Sequence, residues 1–124
     1  MFDYLTKNIE MASSLKKLDS KECQELKNHF FGIPEDYLNF MKSVGYGNLG
    51  DIQLYEGPVP SSSVYGENPV DNLDRLVIFG DDFQGYCFAF DISDSYRVVE
   101  ISPKGEVDKT VESNFLKLLE GYFA

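Results

Sequence analysis

The chain has no tryptophan, one histidine and two cysteines, and its 124 residues contain no apolar run of the ~18 residues that a membrane helix needs. Each scarcity removes a class of function. A single imidazole, His29, rules out metal sites built on several histidines, and at the end of a predicted helix it suits the negative pole of the dipole. Two cysteines, Cys23 and Cys87, far apart and in different predicted elements, make buried free thiols the expectation rather than a disulfide framework. Neither stands beside a group that would activate it as a nucleophile. The opening "MFDYLTKNIEMASS" has acids early and no apolar signal core, so cytoplasmic residence is expected. Positive charge is scarce where it matters most. Residues 43–96 carry Arg75 alone against Asp51, Glu56, Glu67, Asp71, Asp74, Asp81, Asp82, Asp91 and Asp94, whereas residues 1–42 are nearly balanced; the net charge is -10 and the pI about 4.4. Such a field repels nucleic acid and anionic lipid and attracts a basic surface.

What is present suffices for one core. With 43% hydrophobic and 15% aromatic residues the composition is far from disordered, and the length fits a single domain over residues 1–124. One stretch imitates a nucleotide loop: Gly45-Tyr46-Gly47-Asn48-Leu49-Gly50 reads G-x-G-x-x-G. That motif works only when a strand leads in and a helix leads out, so that bare amides at a helix N-terminus meet a pyrophosphate. Here the flanks are reversed. Pro34, Glu35 and Asp36 mark a helix start, and Tyr37, Leu38, Phe40, Met41 and Val44 recur at helical spacing before the glycines. Asp51 to Tyr55 then alternates like a strand. Gly45 is expected at positive φ closing the helix, with Gly47 and Gly50 as turn residues and no dinucleotide bound.

Phe2, Leu5, Ile9 and Ala12 predict a first helix, in a stripe that Leu15 and Leu18 would extend. Asp19 followed by Glu22 predicts a capped second helix to about Phe30. From Ile52 the period becomes two, with strands expected over Ile52–Tyr55, Leu76–Phe79, Tyr86–Ile92, Tyr96–Ile101 and Glu106–Lys109. Phe88 and Phe90 should face the helices from a central strand. The tight links at Ser93-Asp94-Ser95 and Ser102-Pro103-Lys104-Gly105 imply an antiparallel meander. Phe115, Leu118, Leu119 and Tyr122, with Ser113 as cap, predict a terminal amphipathic helix.

Asp81-Asp82 adjoins a glycine turn at the mouth of a strand, but adjacent residues in extended chain point to opposite faces and do not share one cation or act as an acid/base pair. No catalytic, cofactor-binding or metal-ligating residue is expected. The segment Glu56–Asp74 is far longer than an ordinary connection, and loops of that length are commonly functional. Acids and aromatics concentrate in it and in the Asp81 turn. The candidate partner-binding residues are therefore Glu56, Tyr65, Glu67, Asp71, Asp74, Asp81, Asp82 and Phe83.

Three stretches in this order resemble the SUKH superfamily, the cell-wall-assembly-regulator-like domains that in bacteria mostly serve as immunity proteins against polymorphic toxins. They are "GIPEDYLNFMKSVGYGNLGDIQLY", similar to the family's Pro-x-x-Tyr helix running into a glycine turn and strand; "LDRLVIFGDDFQGYCFAFDI", similar to its acidic-glycine turn between strands; and "VESNFLKLLEGYF", similar to its closing helix. The chain departs from the family's Asn-Gly-Gly at Gly45-Tyr46-Gly47 and lacks the tryptophan frequent there. The resemblance implies an α+β fold with N-terminal helices and a C-terminal helix on one face of an antiparallel sheet, no catalysis, no cofactor, and binding of a cognate protein toxin, often a nuclease. The alternative it leaves is a regulatory interaction module without a toxin partner.

Overall fold

The change of period near Ile52 divides the molecule as the sequence predicts. A computed structural model describes residues 15–66, 71–108 and 114–123. Helices α1 (Ser20–His29) and α2 (Glu35–Ser43) precede strands β1 (Gly47–Leu49) and β2 (Ile52–Pro60). A short helix α3 (Ser62–Tyr65) follows, then β3 (Leu76–Asp81), β4 (Cys87–Asp91), β5 (Arg97–Ile101), β6 (Val107–Asp108) and helix α4 (Phe115–Phe123). The six strands form one antiparallel sheet in chain order, giving a single α+β domain.

Local chemistry sets the helix ends. Asp19 accepts the Glu22 amide at 2.7 Å while the Glu22 carboxylate accepts the Asp19 amide at 3.1 Å, a reciprocal box that satisfies two otherwise orphaned donors. Helix α2 ends against Gly45, at φ 110, whose amide bonds the Phe40 carbonyl. A β-carbon there would stand 2.3 Å from the Lys16 carbonyl oxygen, so position 45 needs glycine for space as well as for φ. Lys16 comes close because it forms an isolated antiparallel bridge with Tyr46, exchanging two backbone hydrogen bonds with it. Leu15 and Leu18 are buried but do not continue a helix; the expected helix before them lies outside the described residues, as do Lys109 and Ser113. Asn114 caps α4, accepting the Lys117 amide at 2.9 Å.

Two expectations are corrected in the sheet. Gly47 is not a turn residue but opens β1, paired with Leu54; Gly50, at φ 67, takes the first place of the two-residue turn that follows. Strand β2 runs on through Glu56, Gly57 and Pro58 to Pro60, with a register shift between Leu54 and Val59, so the long connection begins only at Ser61.

Both faces of the central strands are buried. On one, Phe79 stacks on Phe90 at 4.3 Å, and Tyr37 and Phe115 meet these rings edge-on, joining α2 and α4 to the sheet. On the other, Ile78, Cys87, Ala89, Val99 and Ile101 form a second core with Leu73 and Leu76. Leu73 and Tyr65, from the described parts of the connection between β2 and β3, pack on that face. Ser61 donates to the Leu73 carbonyl at 2.8 Å and ties the base of this strap.

Phe88→Ala is expected to cost about 3 to 5 kcal/mol, and Gly45→Val at least about 1 to 3 kcal/mol from φ alone. Urea denaturation checks both, and an unchanged midpoint for either variant contradicts the packing described.

Candidate functional site

Antiparallel order brings three turns to one end of the sheet. Strand β3 ends at Asp81, opposite Gln53 next to the β1–β2 turn and opposite Cys87 at the start of β4. Gly85 of the β3–β4 turn abuts Pro103 of the β5–β6 turn, whose Cγ would lie 3.0 Å from a β-carbon at position 85. The strap reaches the same end. The Tyr65 hydroxyl donates to the Ser102 carbonyl at 2.9 Å, and Asp71 accepts the Val107 amide at 2.8 Å while its own amide donates to Gly105.

Asp81 and Asp82 build their turn before they offer charge. Asp81 accepts the Phe83 amide at 2.9 Å through one oxygen and the Tyr55 hydroxyl at 2.7 Å through the other. Asp82 accepts the amides of Gln84 and Tyr86 at 2.8 and 3.1 Å. Hydrogen bonds of this kind let aspartate replace backbone in tight turns. They hold Phe83 at φ 65, in the left-handed region, with its side chain outward: Phe83 is 52% exposed and Tyr86 41%. A bulky residue without glycine's freedom is held there at a cost.

Around this turn stand Asp51, Asp71, Glu100, Glu106 and Asp108, and in the three turns Lys104 is the single base. Glu100 and Asp108 face each other across β5 and β6, a like-charged pair that disfavours the fold. Burial, then the charges of Asp82 and Asp108, push the Glu100 carboxyl above its ordinary value. Arg75, the only base of residues 43–96, lies elsewhere. Its guanidinium is 3.1 Å from the buried Asp91 carboxylate and also bonds the Asn72 carbonyl, so it does not offset the acids of the turns. Burial raises Asp91, but hydrogen bonds from Ser93 and Arg75 and the guanidinium charge outweigh it and hold the carboxyl low.

The candidate residues are thus gathered only in part. Asp71, Asp81, Asp82 and Phe83 share the acidic end. Tyr65 reaches it, but half-buried and through a hydroxyl engaged with the backbone, so its first duty is to anchor the strap. Glu56 stands on β2 facing α1, and Asp74, beside Arg75, lies at the other end of the sheet; Glu67 is outside the described residues. Glu100, Glu106 and Asp108 were missed. The turn Ser102-Pro103-Lys104-Gly105 does form, with its Gly105 amide bonded to Ser102, and a turn there fixes the register that sets Glu100 opposite Asp108.

Burial pushes both cysteine thiols up, and His29 sits exposed at the end of α1, edge-on to Phe30. Among the described residues no cluster of three or more His, Cys, Asp or Glu could hold a metal ion, and no helix is long and apolar enough to cross a membrane.

No family model, curated protein or solved structure matches the chain. Function has to be argued from the site itself.

A carboxyl raised in the folded state holds its proton more tightly there than in the unfolded chain. Stability therefore falls as pH climbs from the ordinary glutamate value of about 4.3 through the raised one. Glu100→Gln is expected to raise Tm at about pH 7, with the gain disappearing below about pH 4. Thermal denaturation at the two pH values checks this, and a loss of Tm at neutral pH contradicts it.

Proposed function

We propose that this protein is a non-catalytic binding protein that neutralises a basic protein toxin, with a nuclease as the toxin class, and that the acidic end of the sheet is the surface that holds it. The observation that carries the reading is Phe83: a half-exposed aromatic kept at φ 65 on a turn built by two aspartates, inside a rim of acids with little compensating charge. Backbone strain at an exposed bulky residue is maintained where the side chain has a use. An aromatic anchor surrounded by charge is the composition of a binding hot spot with an electrostatic rim. A nuclease is basic where it grips phosphates, so the acids here fit that surface. The three motifs that resemble the SUKH superfamily, whose members mostly serve as immunity proteins, support the same reading. Soluble residence in the cytoplasm, where a nuclease toxin would act, belongs to this proposal.

The turn geometry decides how to test it. Charge reversal at Asp81 or Asp82 would break the hydrogen bonds that shape the turn, whereas Asp51→Lys and Glu106→Lys change exposed residues. Phe83→Gly relieves the backbone while removing the ring, so stability should stay within about 1 kcal/mol of the parent. Binding should weaken by about 2 kcal/mol, mainly through faster dissociation. Asp51→Lys with Glu106→Lys should instead slow association and flatten its salt dependence. The partner is captured by pull-down and mass spectrometry from the native host, then assayed for nuclease activity and measured by surface plasmon resonance. A basic nuclease inhibited by the parent and poorly by Phe83→Gly is expected. A partner without toxin activity, or one indifferent to all three substitutions, counts against the proposal.

A further inference from the structure

A second surface lies away from the acidic end, along the other half of β2. Strand β1 pairs only with Ile52–Leu54, so among the described residues no strand pairs with residues 55–60 on that side. Helix α1 lies alongside instead, coming so close that a β-carbon at Gly57 would be 3.0 Å from a Leu26 methyl. The open trough between helix and strand has a volume of about 570 Å³. Leu18, Leu26, Phe30, Pro58 and Val59 supply its apolar lining. Among the described residues its walls carry three acids, Glu22, Glu25 and Glu56, against the imidazole of His29, with neither lysine nor arginine. The Glu22 carboxylate also closes the capping box of α1, whereas Glu25 and Glu56 are exposed. Phe31, next to the lining residue Phe30, is 94% exposed.

We infer that this trough docks an extended segment of a partner protein in which apolar side chains alternate with lysine or arginine. The apolar lining takes the first kind and the glutamates the second. Pro58 and Pro60 remove two main-chain donors from this stretch of β2, so side chains rather than added-strand pairing must supply the recognition. A second copy of this chain is the wrong occupant on charge, since it too carries a net charge of -10. An acidic or purely polar segment fails to satisfy one half of the lining. The site goes beyond the proposed toxin contact: among its described lining residues Tyr55 alone, through its hydroxyl on Asp81, touches the acidic end of the sheet.

The probe is an acetylated, amidated hexapeptide alternating lysine and leucine, titrated into the ¹⁵N-labelled full chain. Hexalysine and a glutamate–leucine alternating hexapeptide serve as controls. Amide shifts are expected at Leu26, Phe30, Gly57 and Val59 with the lysine–leucine peptide and not with the controls. Glu25→Lys with Glu56→Lys should weaken that binding roughly tenfold, while Asp94→Lys, at an exposed residue outside both surfaces, leaves it unchanged. The parent shift map decides independently of how the variants fold. No shift at these four positions, shifts confined to the Asp81–Tyr86 turn, or an equal response to hexalysine would each overturn the inference. So would a dimer in sedimentation that the double substitution dissolves, because it would make a second copy the occupant. Loss of toxin binding in Phe83→Gly with peptide binding intact would leave the two surfaces separately established.

Discussion

Burial of β4 on both faces is the constraint from which the rest of the architecture follows. Phe88 and Phe90 point to one side of that strand and Cys87 and Ala89 to the other, and all four are buried. A strand of this kind needs cover above and below. Helices α1, α2 and α4 supply one cover, through the Phe79–Phe90 stack and the edge-on rings of Tyr37 and Phe115. Tyr65 and Leu73, from the described parts of the connection between β2 and β3, help supply the other, with Ser61 tied to the Leu73 carbonyl and the Tyr65 hydroxyl to that of Ser102. With both faces covered, the ends of the strands and the margin of β2 are the parts of the sheet left open. The acidic turns occupy the first and the apolar trough the second.

Electrostatics reinforces the division. The only base among residues 43–96 is committed to Asp91 at the end of the sheet remote from Asp81, and its hydrogen-bond partners fix it there. The acids of the three turns keep their field. Glu100 shows what that field costs: burial and its acidic neighbours disfavour its ionised form, so stability is given up where the charge is densest. Asp81 and Asp82 sit in the same field but spend their oxygens on backbone amides, so the turn is shaped by the very groups that charge it.

Local signals were the legible ones. The capping box at Asp19 and Glu22, the positive φ of Gly45, the helical face of α2 and the alternation of β4 each depend on residues within a turn or two, and each is found. The short strand β1 was not legible, because three residues between glycines carry no period, and its identity comes from pairing with β2. Nor was the length of β2, since Gly57, Pro58 and Pro60 spell a loop and only the sheet margin tolerates them in a strand. Leu15 and Leu18 have helical spacing, but the segment is held outside a helix by backbone bonds of Lys16 to Tyr46 and of Leu18 to Met41, partners more than twenty residues away. The site divides along the same line. The Asp81–Asp82–Phe83 turn could be read from neighbours in sequence, whereas the anchoring of Tyr65 at Ser102 and the opposition of Glu100 and Asp108 require the folded register.

The central claim is that an acidic, aromatic-tipped end of the sheet is the surface that meets the partner. Hydrogen–deuterium exchange of the protein alone and in complex with the captured partner tests it most directly. The account predicts slowed exchange at the amides of Phe83, Gln84 and Tyr86 and through the Ser102–Val107 turn, with α2 exchanging as in the free protein. Unchanged exchange at both turns, with protection on the helices instead, would contradict it.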